Sequence, residues 1–394
     1  MTEPRWTHEY ALLALRLNRL MGGGALIYRG PREWRDQAES EPPAVPGRLA
    51  DDANELLERP PSPYLAAHVS AMRAVARYLA GERLPLTEYA RQVLGLEPRW
   101  LPESLFEQAH DRLDRALPKR PGSLSDRLHD WQAAHTLHAV ERLPGLVAEA
   151  VAECRRRTNE IIPLPPGEVV DCVLVRDAHF HAAGDYQGEL RSAIHINVSI
   201  PFNLADLLYV VAHESHPGHI AESMLKETRA DQRVRFMVSP SFLLSEGLGL
   251  LAEEIVFPGD EAQEWLTAHI LPACGIRQDG SDFAAIHQAR NVLWGVWGNA
   301  ALMAAEGRGE AEVGAYLARW ALYDDQEVGA ALAGLKPSAA SPYIFGYFHG
   351  WELLRPWATG ADRVRRLLTE QLLPGDVGLG NFSSSSQGLS TPPA

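Results

Sequence analysis

His213-Glu-Ser-His216-Pro-Gly-His219 places three imidazoles and a carboxylate within seven residues. It follows directly on Leu204-Ala-Asp-Leu-Leu-Tyr-Val-Val-Ala212, an apolar run whose length suits the first turns of a buried helix. Polar groups carried into the interior by such a helix are costly unless something coordinates them. Three surface histidines at a helix end would be the plainer reading, and the apolar run argues against it. The cluster therefore reads as a metal site on a helical scaffold.

The spacing is close to H-E-x-x-H, in which two histidines at i and i+4 face one way and the glutamate beside the first is a general base. Here Pro217 occupies the i+4 position, and the next histidines are His216 and His219. On a continuous helix His216 lies about 60° around from His213 and His219 about 120°. A straight helix thus favours the pair His213 and His216. Pro217, however, lacks the N–H that the His213 carbonyl would accept, so the helix should kink or bulge at Pro217-Gly218. Such a bulge can bring His219 back to the face of His213, and geometry alone leaves both pairings open.

The string from His213 to His219, followed by Glu246-Gly-Leu-Gly-Leu-Leu-Ala-Glu253, resembles the paired motifs H-E-x-x-P-G-H-H and E-G-W-A-L-Y-x-E of the domain-of-unknown-function 885 family. That family is similar to the helical zinc carboxypeptidases of the Taq type. The resemblance is specific over residues 185 to 255, looser around 340 to 355 and general in the N-terminal half. It implies a mainly α, zincin-like (gluzincin) body with a central cleft and a small β-sheet next to the metal helix. It further implies one Zn2+ held by His213, His219 and Glu246, with Glu214 as general base. Ile220 stands where the family has a second histidine, and Leu248 and Leu251 replace its Trp and Tyr; no implied ligand is lost.

The residues around Glu246 support the same role independently. Ser245 to Ile255 reads as a helix on which Glu246, Leu250 and Glu253 share a face, although acidic residues also suit a first helical turn. Glu253 is the reserve ligand or a partner orienting an imidazole, and His216, if not a ligand, has a similar supporting place. Two imidazoles, one carboxylate and an open position form the ligand set of a catalytic zinc, whereas structural sites recruit cysteines. Cys154, Cys172 and Cys274 have no paired spacing.

Zinc lowers the pKa of bound water to about 7, and Glu214 can take the proton as hydroxide attacks a carbonyl. The developing oxyanion needs a donor. Tyr343 and Tyr347, spaced i and i+4 and each followed at three residues by a glycine, are the candidates, and the family's Y-x-x-G...L-R pattern fits Tyr343, Gly346 and Arg355 with a one-residue shift. Two core aromatics with hydroxyls at the edge would be the plainer explanation. Arg355 could pair with a substrate carboxylate, and His349 is a supporting candidate.

Val169 to Arg176 and Ser192 to Val198 have strand character, separated by a loop at Ala183-Gly-Asp-Tyr-Gln-Gly-Glu189. An edge strand beside the metal helix would hold an extended peptide by main-chain hydrogen bonds, which makes His195 and Asn197 candidate substrate-binding residues. Helical periodicity covers residues 8 to 21, 63 to 80, 103 to 117, 124 to 160, 261 to 271, 281 to 305, 310 to 332 and 342 to 370, and Trp294, Trp297 and Ala301 read as core. One domain is expected over 1–375, with a helical N-terminal lobe at 1–165 and a catalytic lobe at 166–375, followed by a disordered tail at 376–394.

With 37 basic and 51 acidic side chains the net charge is −14, which argues against a nucleic-acid partner. No apolar run approaches the ~20 residues of a membrane span, the start of the chain is polar and acidic rather than signal-like, and three unpaired cysteines fit a reducing compartment. A cytoplasmic location and no membrane partner are therefore expected. The expected function is a zinc metallopeptidase of carboxypeptidase type acting on short peptides. A hydrolase or tailoring enzyme for a small amide or ester of specialised metabolism is the alternative, as is a peptidase-like binding protein that has lost catalysis.

Overall fold

The computed structural model describes residues 3–378, and the protein is mainly α, with 62% helix and 8% strand. Helices Glu3–Leu20, Pro63–Leu79 and Glu103–Ala116 lie where periodicity places them, and Arg32–Ser40, Pro46–Leu57 and Leu86–Leu94 join them in the N-terminal half. One cluster of buried apolar side chains runs from Trp6 to Val377.

Three long helical stretches are each divided. The expected helix at 124 to 160 is Leu124–Ala134 and Leu143–Ile161. Pro144 suits only the first turn of a new helix, and Thr136 in the gap bridges to Asn203. The stretch at 310 to 332 breaks into Glu310–Trp320 and Asp325–Gly334, where Asp324 and Glu327 form a capping box. The stretch at 342 to 370 breaks into Phe345–Leu354 and Ala361–Thr369, because Pro356 cannot continue a helix. Most of the tail at 376–394 lies outside the described residues. Residues 376–378 are within them, and Val377 is buried against the core in the 3-10 turn Pro374–Val377 rather than disordered.

Among the described residues five strands form two sheets. Strands β1 (Leu26–Tyr28) and β5 (Val234–Phe236) make an antiparallel pair, and β2 (Val169–Val175), β3 (Ala182–Gly188) and β4 (Arg191–Asn197) make a sheet in the order β2-β4-β3. The segment expected as a loop at 183–189 is thus mostly strand β3, antiparallel to β4 with Gly184 opposite Ile194. Its glycines and aspartate disguise it, and Gly184 is there for contact: a Cβ on it would stand 2.1 Å from the Glu214 carbonyl oxygen. Strand β4 is central, so the edge strand against Glu214 is β3.

The helix carrying Glu246, Pro240–Val256, packs closely on Phe345–Leu354, which carries Tyr347. The contact is backbone to backbone: a Cβ at Gly247 would lie 2.4 Å from Gly350 C, and one at Gly350 would lie 2.1 Å from Leu243 O.

A buried ionic network joins Asp206, Glu253, His287 and Arg290. His287 lies 2.7 Å from Glu253 Oε2 through Nδ1 and 3.0 Å from Asp206 Oδ1 through Nε2, and Arg290 Nη1 donates to Asp206 at 2.7 Å. Burial opposes charge on His287, but the two carboxylates outweigh it and raise its pKa to about 9. A raised imidazole pKa stabilises the fold fully below the unfolded value near 6.5, and the benefit is lost as pH climbs through 9. Urea unfolding is expected to show stability falling between about pH 6.5 and 9 by on the order of 3 kcal/mol, with a flatter profile in His287→Gln.

Candidate metal centre

The apolar run folds as a helix, Leu207–Glu214, preceded by a 3-10 turn at Leu204–Asp206. It stops at Ser215, and a second helix begins at His219 and runs to Lys226. The interruption is a full break rather than a kink. The Gly218 N–H donates to the Ala212 carbonyl at 3.1 Å, and the Ala221 N–H to the Ser215 carbonyl at 3.0 Å. The break brings His219 against His213, with ring centroids 4.7 Å apart at 85°.

His216 goes the other way. It is fully buried, with Nε2 2.9 Å from Glu168 Oε2, and Arg155 Nε donates to the same carboxylate oxygen at 3.0 Å. His213 and His219, not His216, are therefore the histidines that converge. Glu246 completes the group: His213 Nε2 is 3.6 Å from its Oε2, and His219 Nε2 is 3.5 Å from its Oε1. One ligand atom from each of these three residues lies within 4.8 Å of the others.

These residues fit a zinc ion. Ligand atoms about 2.0–2.1 Å from a tetrahedral zinc stand roughly 3.4 Å apart, close to the two separations above. The Oε2 of Glu246 is buried and has no hydrogen-bond partner among the described residues, a costly state for a carboxylate oxygen that a cation would relieve. Burial raises the Glu246 pKa, but His219 and His213 outweigh it and hold the carboxyl below its ordinary value.

The surroundings fix the imidazoles. Ser245 Oγ donates to Glu222 Oε2 at 2.6 Å, so it accepts from His219 Nδ1 at 3.1 Å. That relay leaves the His219 Nε2 lone pair free for a metal. Glu222 is anchored by Lys226 and Arg235, each at 2.8 Å, and although burial raises its pKa these cations bring it well below the carboxylate range. The His213 ring packs so closely on Gly249 that a Cβ there would stand 2.5 Å from its Cε1. Gly249→Ala is accordingly expected to push His213 aside and weaken zinc binding about 10- to 100-fold, the usual effect of disturbing a ligand's support, as read by competition with a chromogenic chelator.

Glu214 stands beside the trio, and its Oε2 accepts the Gly184 N–H of β3 at 2.7 Å. Tyr343 donates its hydroxyl to Glu246 Oε1; burial and then the Glu246 charge keep its pKa well above the usual phenol value. Tyr347 is stacked on Trp294 with centroids 4.3 Å apart. Glu253 is engaged with His287 and makes no hydrogen bond to His213 or His219 among the described residues. His349 is buried beside Glu352, 3.7 Å away, and lines neither arm of the cleft.

His213 and Glu214 sit where two arms of the cleft meet. One, of about 820 Å³, is lined by Ile27, Met237, Phe242, Tyr343 and the start of β3; the other, of about 560 Å³, by Tyr209, Arg290, Leu293, Trp294 and His181. Trp294 and Trp297, half-buried and packed against the apolar core, also form cleft walls. Three substrate-binding expectations fall elsewhere. Arg355 borders a separate hollow with Ile161 and Leu251, and its guanidinium carbon is 5.2 Å from the centroid of the Trp351 ring. His195 lies on central strand β4 and does not line either arm, and Asn197, the last residue of that strand, is tied to the chain beside it, its Nδ2 donating to the Ala178 carbonyl and its Oδ1 accepting from Ser199 N. Ile220, Leu248 and Leu251 line neither arm, so those departures from the family's motifs leave the cleft wall untouched.

Arg290, His181, Ser245 and Glu222 are the site residues that sequence reasoning missed. Ser245 and Glu222 each adjoin a motif, and the helical spacing of Glu222 and Lys226 was a usable signal; Arg290 and His181 gave none.

No family model matches the chain, and no curated protein matches it. Among solved structures, "The crystal structure of the putative lipoprotein from Colwellia psychrerythraea" is similar, at 12% identity and a TM-score of 0.54. The similarity covers 85% of this chain and 66% of that one, so this chain spans a little under two thirds of its length. At that identity the likeness is one of fold. Among the described residues no helix is long and apolar enough to cross a membrane, and all three cysteines are free.

Proposed function

We propose that this chain is a zinc-dependent metallohydrolase on a helical zincin-like scaffold, acting as a peptidase of carboxypeptidase kind on short peptides. The observation that carries the reading is the convergence of His213, His219 and an otherwise unpartnered Glu246 oxygen beside a second, cleft-facing carboxylate, Glu214. A zinc held by the trio supplies a Lewis acid and a bound water acidic enough to ionise near neutral pH.

The chain's own groups would do the rest. Gly184 N–H fixes one oxygen of Glu214, leaving the other to accept a proton from the attacking water and pass it to the leaving amine. The β3 residues Ala182, Ala183 and Gly184 line the cleft, and a strand at the free edge of its sheet suits an extended peptide docked by main-chain hydrogen bonds. Tyr347, which lines both arms, is the donor available to a developing oxyanion. Tyr343 is committed to Glu246 and acts as a positioning residue for that ligand.

The test is to measure bound metal by elemental analysis and then turnover of a panel of short peptides. Near-stoichiometric zinc with release of C-terminal residues supports the proposal. A protein that neither contains nor takes up a divalent metal would overturn it.

A further inference from the structure

The 560 Å³ arm contains a cation whose hydrogen-bonding capacity is mostly unspent. Arg290 is held by a single bond, Nη1 to Asp206, and its side chain keeps 31% of its surface exposed while lining the arm. A guanidinium offers five N–H donors in a planar fork that matches a carboxylate, and none of the others has a partner among the described residues. Asp206 tethers the group without saturating it, because Asp206 also accepts from His287.

A second, independent group lies in the same arm. The Nε2 of His181 is shielded from solvent and has no hydrogen-bond partner among the described residues, and His181 lines the arm with Arg290. Burial lowers its pKa, and its electrostatic neighbours include Asp206, Arg290 and Glu214. A buried ring nitrogen left without a partner is a cost that a ligand can remove. A carboxylate reaching this arm would meet a charged fork and a potential ring N–H donor.

We infer that Arg290, with His181 beside it, is the subsite for the free C-terminal carboxylate of a peptide substrate, so that the 560 Å³ arm takes the departing residue and the larger, more apolar arm takes the preceding residues. The inference rests on the peptidase reading above. Arg290 thereby becomes the specificity-determining residue for exopeptidase action, the role for which the family's motif pattern had suggested Arg355. The walls of the arm, Leu293, Trp294 and Leu250 among them, favour an apolar or aromatic departing side chain.

Matched N-acylated dipeptides ending in a free carboxylate or an amide provide the test, using zinc-loaded wild type, Arg290→Gln, and Arg290→Lys, which keeps a charge for Asp206 but loses the fork. Affinity is read separately by calorimetry in the Glu214→Gln background, where turnover does not interfere. The expected result is that the acid binds and the amide does not. KM for the acid should rise roughly 10- to 100-fold in both Arg290 variants, with kcat changed far less, and His181→Phe should weaken acid binding in the same direction. Hydrolysis of acid and amide alike, unaffected in Arg290→Lys, would overturn the subsite and leave the hydrolase standing. Without hydrolysis of either peptide, the hydrolase reading fails, and calorimetry still decides: acid-selective binding lost in Arg290→Lys supports the subsite, and equal or absent binding overturns it.

Discussion

Glu214→Gln is expected to retain its zinc and its peptide affinity and to turn over about 10²- to 10⁴-fold more slowly. Glutamine preserves the shape, and its amide oxygen can still accept the Gly184 N–H that holds Glu214 at 2.7 Å. What disappears is the basic oxygen that takes a proton from water. Elemental analysis alongside single-turnover kinetics separates the two effects. A variant with undiminished turnover would show that the proton goes elsewhere and sink the assignment of the base.

Glu246→Gln carries the second large effect. It removes the only carboxylate in the converging trio, so zinc content should fall from near one equivalent to a small fraction, with activity falling in parallel. Stabilisation by a ligand grows with the ratio of its concentration to its dissociation constant, reaching about 2.7 kcal/mol at a hundredfold excess. Zinc should therefore raise the melting temperature of wild type by several degrees and leave that of Glu246→Gln almost unmoved. The metal-free variant need not be less stable than metal-free wild type, since it no longer buries a carboxylate oxygen without a partner. An unchanged zinc stoichiometry in this variant would remove Glu246 from the ligand set.

The convergence of His213, His219 and Glu246 was legible because such residue types are conspicuous when they follow an apolar run. Helix spacing left His216 and His219 open, and the chain resolves it with a break after Glu214 that no periodicity describes. The helical body was legible in outline, and its divisions lay at positions with a local cause, such as Pro144, Asp324 and Pro356. Strand β3 was missed because its glycine answers to Glu214, a residue thirty positions away, rather than to a turn. The same remoteness hid Arg290: on a helix dominated by apolar residues nothing local marks the one cation that opens into a cleft, and Arg355, near a visible motif, drew attention in its place.

The contact between Gly247 and Gly350 has a mechanical consequence. With no side chain between them, the helix bearing Glu246 and the helix bearing Tyr347 have little room to slide or part, and Tyr343 is tied to the same carboxylate. Half of the cleft is thus one stiff jaw. Any opening of the cleft would therefore fall to the opposite side, where β3 and the turn at His179 and Phe180 form the wall, so a hinge would belong to the three-stranded sheet.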